Sequence, residues 1–170
     1  MNTTPSTTSV SAQLIEQLKL DSLVTATNLS HLDILRAFLE RLNTDQQKAF
    51  SSGTNVRNLV KERAKEMDKM LLSFWSSLAI SDQLSLIAVG GYGRAELHPY
   101  SDIDLLILCE DEISNSDTSG IETFISLLWD CRLKVGHAVR SVEQCCQLAT
   151  EDVTIATNLM ESRLICGNGK

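Results

Sequence analysis

The sequence predicts an α/β fold: a small mixed β-sheet with flanking helices, joined to an added N-terminal helical pair. Three patterns carry that expectation. Residues 84–89 and 102–109 are short runs dense in Leu, Ile and Val, the signature of buried strands. Leu133, Val135, His137 and Val139 alternate with Lys134, Gly136, Ala138 and Arg140, the period of a half-buried strand. Apolar residues at three- and four-residue spacing, upstream of the strands and between them, read as amphipathic helices.

The elements follow in chain order. Residues 1–13, rich in Ser and Thr, read as a disordered tail with neither a basic start nor an apolar h-region, so no signal peptide is expected. Residues 14–83 form the helical region. Its first clear helix starts at Ser30, a good N-cap, with Asp33 in the first turn and Ile34, Leu35, Phe38, Leu39 and Leu42 on one face. A second starts near Thr54 and runs about seven turns, with Val56, Leu59, Val60, Met67, Met70, Leu71, Phe74, Trp75 and Leu78 on a broad apolar face. Met and aromatic residues at this spacing are core, and the intervening Lys and Glu are solvated.

Residues 84–170 form the core domain, expected to be cut short at its C-terminal end. After the first two strands, residues 110–120 read as an acidic loop, and residues 121–131 as a helix packed on the sheet through Phe124, Ile125, Leu127, Leu128 and Trp129. The alternating segment is the third strand. Ser141 and Thr150 are expected to cap two final helices, the second running through Ile155, Leu159, Met160 and Leu164 until Gly167 stops it, with no closing element after it.

Composition narrows the function. With 170 residues and 43% hydrophobic content the chain can bury one substantial core. A net charge of −7 disfavours nucleic-acid substrates, whose affinity comes largely from Lys and Arg neutralising phosphates. The five cysteines, Cys109, Cys131, Cys145, Cys146 and Cys166, form no C-x-x-C pair and read as reduced residues of a cytoplasmic protein. No apolar stretch approaches the roughly 20 residues of a membrane helix.

The chemistry is concentrated in Val89-Gly90-Gly91-Tyr92-Gly93-Arg94, followed after a gap by Asp102-Ile103-Asp104. Paired glycines at a strand end let backbone N–H groups approach a phosphate chain. Alternate residues of a strand share a face, so Asp102 and Asp104 converge. Two ionised carboxylates that close need a cation between them, or one binds a proton instead. Magnesium bridging to a triphosphate is the natural partner. Taken singly, a D-x-D is equally a helix cap or a solvated pair, and a lone G-G-x-G is weak; the joint spacing favours nucleotide chemistry.

The glycine turn and the D-h-D strand resemble the nucleotidyltransferase fold of polymerase-β-like enzymes. More specifically, the run from Gly90 through Tyr92, Arg94, Glu96, Pro99 and Asp104 to Leu108, with Leu128-Trp129-Asp130, residues 136–140 and residues 157–163, resembles the amino-terminal domain of the bacterial PII uridylyltransferase/uridylyl-removing enzyme family. The likeness covers roughly residues 31 to 170. It implies transfer of UMP from UTP to a tyrosine hydroxyl of the PII signalling protein in nitrogen regulation, with release of pyrophosphate. It also implies that Asp102 and Asp104 hold magnesium, that Gly90 and Gly91 cradle the triphosphate, that Arg94 adds a charge-assisted contact and that Ser101 orients Asp102.

Two positions depart from the family pattern: Ala95 stands where Gly is common, and Ala138 where Ser is. A third carboxylate, which many enzymes of this fold place on a later strand, is missing from residues 133–140. His137 is a candidate for a base, although a lone His on an alternating strand is more often a structural residue, and Asp130, Glu143 and Asp152 are weaker candidates. The resembling family continues into an HD-type phosphohydrolase domain and two ACT domains. The expectation is therefore a fragment that transfers but does not remove a nucleotide, with two rival readings: a non-catalytic module that binds nucleotide or PII, and transfer to a small molecule such as an aminoglycoside.

Overall fold

The computed structural model describes residues 14, 16, 18, 30–78, 80–110 and 113–167. The expected tail, 1–13, lies outside them, as do the last three residues and Asp111 and Glu112 of the acidic run. Two long helices, α1 (His31–Ser51) and α2 (Val56–Ser77), lead into β1 (Ser85–Ala88), a short helical turn α3 (Gly90–Gly93), β2 (Ile103–Cys109), α4 (Asn115–Asp130), β3 (Val135–Ser141), α5 (Val142–Glu151), α6 (Val153–Met160) and β4 (Arg163–Cys166). The sheet has the order β3-β2-β1-β4. β1 runs antiparallel to β2 and β4, while β2 and β3 are parallel, joined by the α4 crossover.

Local chemistry sets the helix ends. Ser30 and Asp33 form a reciprocal capping box at α1, and Asn55 caps α2 by accepting the Arg57 N–H. At 22 residues, α2 is about six turns rather than seven. One core lies between the helices and the inner face of the sheet. Phe38, Met67, Met70, Leu71 and Phe74 meet Leu86, Ala88, Ile103, Leu105 and Ile107, all nearly free of solvent contact. Trp75 and Phe124 pack edge to face at 5.2 Å, tying α2 to α4.

Three sequence expectations are corrected. Helix α4 begins at Asn115, inside the supposed acidic loop: Ser114 caps it, and the buried Asp117 carboxylate accepts the Ser114 hydroxyl (2.6 Å) and the Ser81 N–H (2.7 Å). These polar residues make a helix start, not a loop. Asp152, not Thr150, caps α6; Thr150 lies within α5, its hydroxyl turned back to the Gln147 carbonyl. Helix α6 ends at Met160, and Leu164 belongs to a fourth strand, β4, on the outer edge of β1. Short apolar runs fit a helix or a strand equally, and here pairing with β1 decides.

A polar knot fixes the glycine turn. Tyr92, 1% exposed, donates its hydroxyl to Asp68 of α2 (2.6 Å), and Arg163 of β4 grips both Asp68 oxygens (2.6 and 3.1 Å). The same guanidinium donates to the Tyr92 and Gly93 carbonyls (3.2 and 3.3 Å) and lies over the Tyr92 ring. Burial, then the Asp68 charge, push the Tyr92 hydroxyl far above its ordinary range, so it remains a donor. For Arg163, burial acts downward but the Asp68 hydrogen bonds and charge outweigh it. Gly93 admits no side chain, because a Cβ there would run into the Glu161 carbonyl oxygen just beyond α6.

Removing one partner of a buried ion pair strands the other. With the two side chains 29% and 25% exposed, solvent softens the loss, so Arg163→Met is expected to cost about 2 kcal/mol, a fall of about 4–8 °C in melting temperature. Urea and thermal unfolding measure it. A loss under about 0.5 kcal/mol would class the pair with ordinary surface ion pairs.

Candidate active site

Asp104 lies one residue inside β2, and its backbone is held from two directions. The Val89 N–H donates to its carbonyl (3.0 Å), and the preceding Ile103 N–H donates to the Lys134 carbonyl (2.8 Å). In the parallel register Asp104 sits beside Gly136. A Cβ on Gly136 would stand 2.5 Å from Asp104 Oδ1, and one on Gly90 would stand 3.6 Å from Asp104 Oδ2 and 3.3 Å from Asn158 Oδ1. Two bare glycines, one from the turn and one from β3, therefore wall the carboxylate, and the amide of α6 closes it in. Gly90 also has φ +59, a conformation that side chains other than glycine rarely adopt. Gly91 is different: a Cβ there would meet only Arg94 Nη2 at 3.7 Å and the Glu96 carbonyl oxygen at 4.0 Å. Packing does not demand glycine at Gly91, and its lack of a side chain leaves the backbone bare.

Asp102 precedes β2 rather than lying within it and is exposed, with its Oδ1 3.8 Å from Lys134 Nζ. Burial, and then the charge of Asp102, raise the Asp104 carboxyl above the ordinary carboxylate range. The pair is thus electrostatically coupled. Its donor set, two carboxylates with the Asn158 amide oxygen alongside, is all oxygen, which suits a hard divalent cation. No cluster of three or more His, Cys, Asp or Glu is present among the described residues.

The other expected site residues fall at varied distances from this centre. Arg94 folds back: its Nε donates to Glu96 Oε2 (3.3 Å) and its Nη1 to Glu161 Oε2 (2.5 Å), and these bonds raise its pKa further. Ser101 is exposed, its N–H donating to the His98 carbonyl, and no hydrogen bond joins it to Asp102. His137 pairs with Leu105, so strand alternation sends its ring to the side of the sheet opposite Asp104, where it packs against Trp129 at 5.6 Å. Asp152 is engaged as the α6 cap, Glu143 lies on the exposed first turn of α5, and Asp130 ends α4.

Beside Asp104 is a cavity of about 200 Å³ bounded by Val89, Gly136, Ala138, Arg140, Ile155 and Asn158 among others. Gly136, Ala138 and Arg140 share the Asp104 face of the sheet, and Arg140 has no ion-pair partner among the described residues. Gly136, Arg140 and Asn158 are site residues that sequence reasoning left unassigned. A glycine inside an otherwise regular strand was the available signal.

A carboxyl whose folded pKa is raised favours folding below its unfolded pKa and loses that contribution as pH climbs through the folded value. Asp104→Asn is thus expected to raise the melting temperature near neutral pH. The gain should shrink as pH falls through the carboxylate range, because wild type then loses the same charge. Melting curves from about pH 8 down to about pH 4 test this, and a neutral-pH loss of stability in the variant would contradict it.

Comparison with known proteins agrees with the geometry. A family model described as "Nucleotidyltransferase domain" matches residues 68–159, more than half of the chain. The bifunctional uridylyltransferase/uridylyl-removing enzyme of Vibrio campbellii is 48% identical over 136 residues, 79% of this chain and 16% of that protein. Its counterpart in Pseudomonas aeruginosa is 47% identical over 135 residues, 78% of this chain and 15% of the relative, and that of Vibrio cholerae 44% over 138 residues, 80% and 16%. The chain spans about one sixth of the length of these curated relatives. No helix among the described residues is long and apolar enough to cross a membrane. The match from Asp68 to Leu159 takes in the glycine turn, the Asp102–Asp104 strand and Asn158, and the chain belongs to the nucleotidyltransferase domain family.

Proposed function

We propose that this domain transfers UMP from UTP to a tyrosine hydroxyl of the PII signalling protein in nitrogen regulation, in the cytoplasm, with Mg2+ held by Asp102 and Asp104. The observation that carries the reading is the glycine-walled Asp104 carboxylate, coupled to Asp102 beside a turn of bare backbone. The likeness to uridylyltransferases over 79% of the chain supports the uridylyl group as the one moved. When bound, magnesium would lower the pKa of the attacking hydroxyl and neutralise charge on the departing pyrophosphate.

The chain's own residues do the positioning. The glycines put no side chain of their own against the Asp104 oxygens. Gly90 and Gly91 bring bare backbone to the triphosphate, and Arg140, on the Asp104 face and in no ion pair among the described residues, adds positive charge at the wall of the cavity. Arg94 reaches phosphate only by leaving Glu96 or Glu161, and its exposed bonds to both allow that exchange. Ser101 adjoins Asp102 at the mouth of the site. In the reaction the tyrosine oxygen bonds to the α-phosphorus, the bond from that phosphorus to the β-bridging oxygen breaks, pyrophosphate leaves, and the hydroxyl proton passes to solvent or to a base that is not assigned. The absence of a third acid at the site among the described residues favours a second reading, a module that binds nucleotide or PII without turnover.

Incubation with labelled UTP, magnesium and PII separates these readings. Transfer that is abolished by Asp104→Asn supports the enzyme, binding without transfer supports the module, and labelling of a small hydroxyl acceptor in the absence of PII selects the aminoglycoside-type reaction. A sharper probe is Gly136→Ala. Its Cβ displaces only the tip of the Asp104 side chain, so the melting temperature should hold while transfer falls about 100-fold, the usual cost of a misplacement near 1 Å. Full activity in that variant would detach Asp104 from the chemistry.

A further inference from the structure

A second cavity, of about 650 Å³, opens between α1, α2 and the turns that precede β2 and β3. It shares no lining residue with the cavity beside Asp104. Its floor is apolar, with Leu39, Met67 and Leu97, and its wall holds Arg63 of α2. Arg63 is only 6% exposed, yet it forms no ion pair among the described residues. Its Nη1 donates to two neutral amide oxygens, Asn43 Oδ1 (2.9 Å) and Gln46 Oε1 (2.8 Å), while its Nε is buried with no partner among the described residues. Arg63 lines the cavity, and its Nη2 makes no hydrogen bond among the described residues.

A full positive charge removed from water is normally matched by an anion, and one left unmatched calls for an explanation. Burial pulls the Arg63 pKa downward, but a guanidinium stays charged in any protein. The cavity rim adds more positive charge. Arg36 has a single hydrogen bond, from Nη2 to the Asp130 carbonyl (3.1 Å), and Arg132 is exposed and in no ion pair among the described residues. Glu40 and Asp130 are also at the rim, but neither bonds to Arg63. Arg132 (φ 59) and Tyr100 (φ 67) both hold left-handed backbone at this rim, a conformation disfavoured for such side chains.

We propose that this cavity binds a small molecule that carries an oxyanion, phosphate or carboxylate, on an apolar body, with Arg63 as the buried anchor and Arg36 and Arg132 closing on the charge. The volume suits such a ligand. Asn43 and Gln46 hold the guanidinium through Nη1, which leaves Nη2 to donate to the oxyanion. The cavity adjoins the transfer site through Ser101 and Lys134, whose Nζ is 3.8 Å from Asp102 Oδ1, but its anchor, Arg63, is no part of the transfer chemistry.

The test uses inorganic phosphate and succinate as separate probes, with chelator present so that no metal engages Asp104. The Nε–H resonance of Arg63 and the backbone amide of Arg132 are followed by NMR alongside the melting temperature. Saturable shifts with either probe are expected; which probe saturates identifies the oxyanion class. Arg63→Gln should abolish them, and Asp104→Asn should leave them intact. Because Arg63→Gln risks the fold, Arg132→Gly provides the second variant: it relieves the left-handed strain while removing a cation, and is expected to weaken binding about tenfold with no loss of melting temperature. Non-saturating shifts matched by chloride at equal ionic strength, or saturation untouched by both arginine variants, would overturn the proposal.

Discussion

The site depends on a salt-bridged knot that its own residues only partly contain. Asp68 comes from the middle of a long helix, Tyr92 from the glycine turn and Arg163 from an edge strand, and the three meet in partial burial with each hydrogen bond made. Burial makes this arrangement costly to break, because an unpaired charge left there loses both water and partner. The turn is consequently not a flexible glycine loop. It is held at its tyrosine from one side and at its carbonyls from the other, so the glycines supply bare surface rather than mobility.

From the knot outward, position passes to Asp104 through backbone. The residue that begins the turn, Val89, is bonded to the Asp104 carbonyl, and the close approach of Gly93 to Glu161 seats the end of α6 on the turn, which places Asn158 beside the carboxylate. The carboxylate then sits where its charge is disfavoured, partly dehydrated and next to a like charge. A functional site often carries such a cost, with the surrounding core holding what the site alone would not. Here that core is the α1–α2 pair packed on the inner sheet face, so the N-terminal helices are structurally continuous with the site.

Much of this was legible in the sequence because local signals and tertiary demands agree. The two buried strands, the capping of α1 and α5, and the paired acids each had a short-range signature. Where the reading failed, the deciding partner was remote. Leu164 turns from helix to strand only through pairing with β1, and the start of α4 depends on Asp117 reaching Ser81. The same holds within the site. Gly136 and Asn158 lie outside the glycine turn and the paired-acid motif, and only the parallel register and the seating of α6 bring them to Asp104. Arg94, conspicuous in the motif, is claimed by Glu96 and Glu161, whereas Arg140, inconspicuous on an alternating strand, lines the cavity with no ion pair among the described residues.

The measurement that bears most directly on this account is paramagnetic broadening by Mn2+ in the presence of a non-hydrolysable UTP analogue. The account predicts that the amides of Gly90, Gly91, Asp104, Gly136 and Asn158 broaden first and together, and that Asp104→Asn removes the effect. Broadening centred elsewhere, or unchanged in that variant, would contradict it.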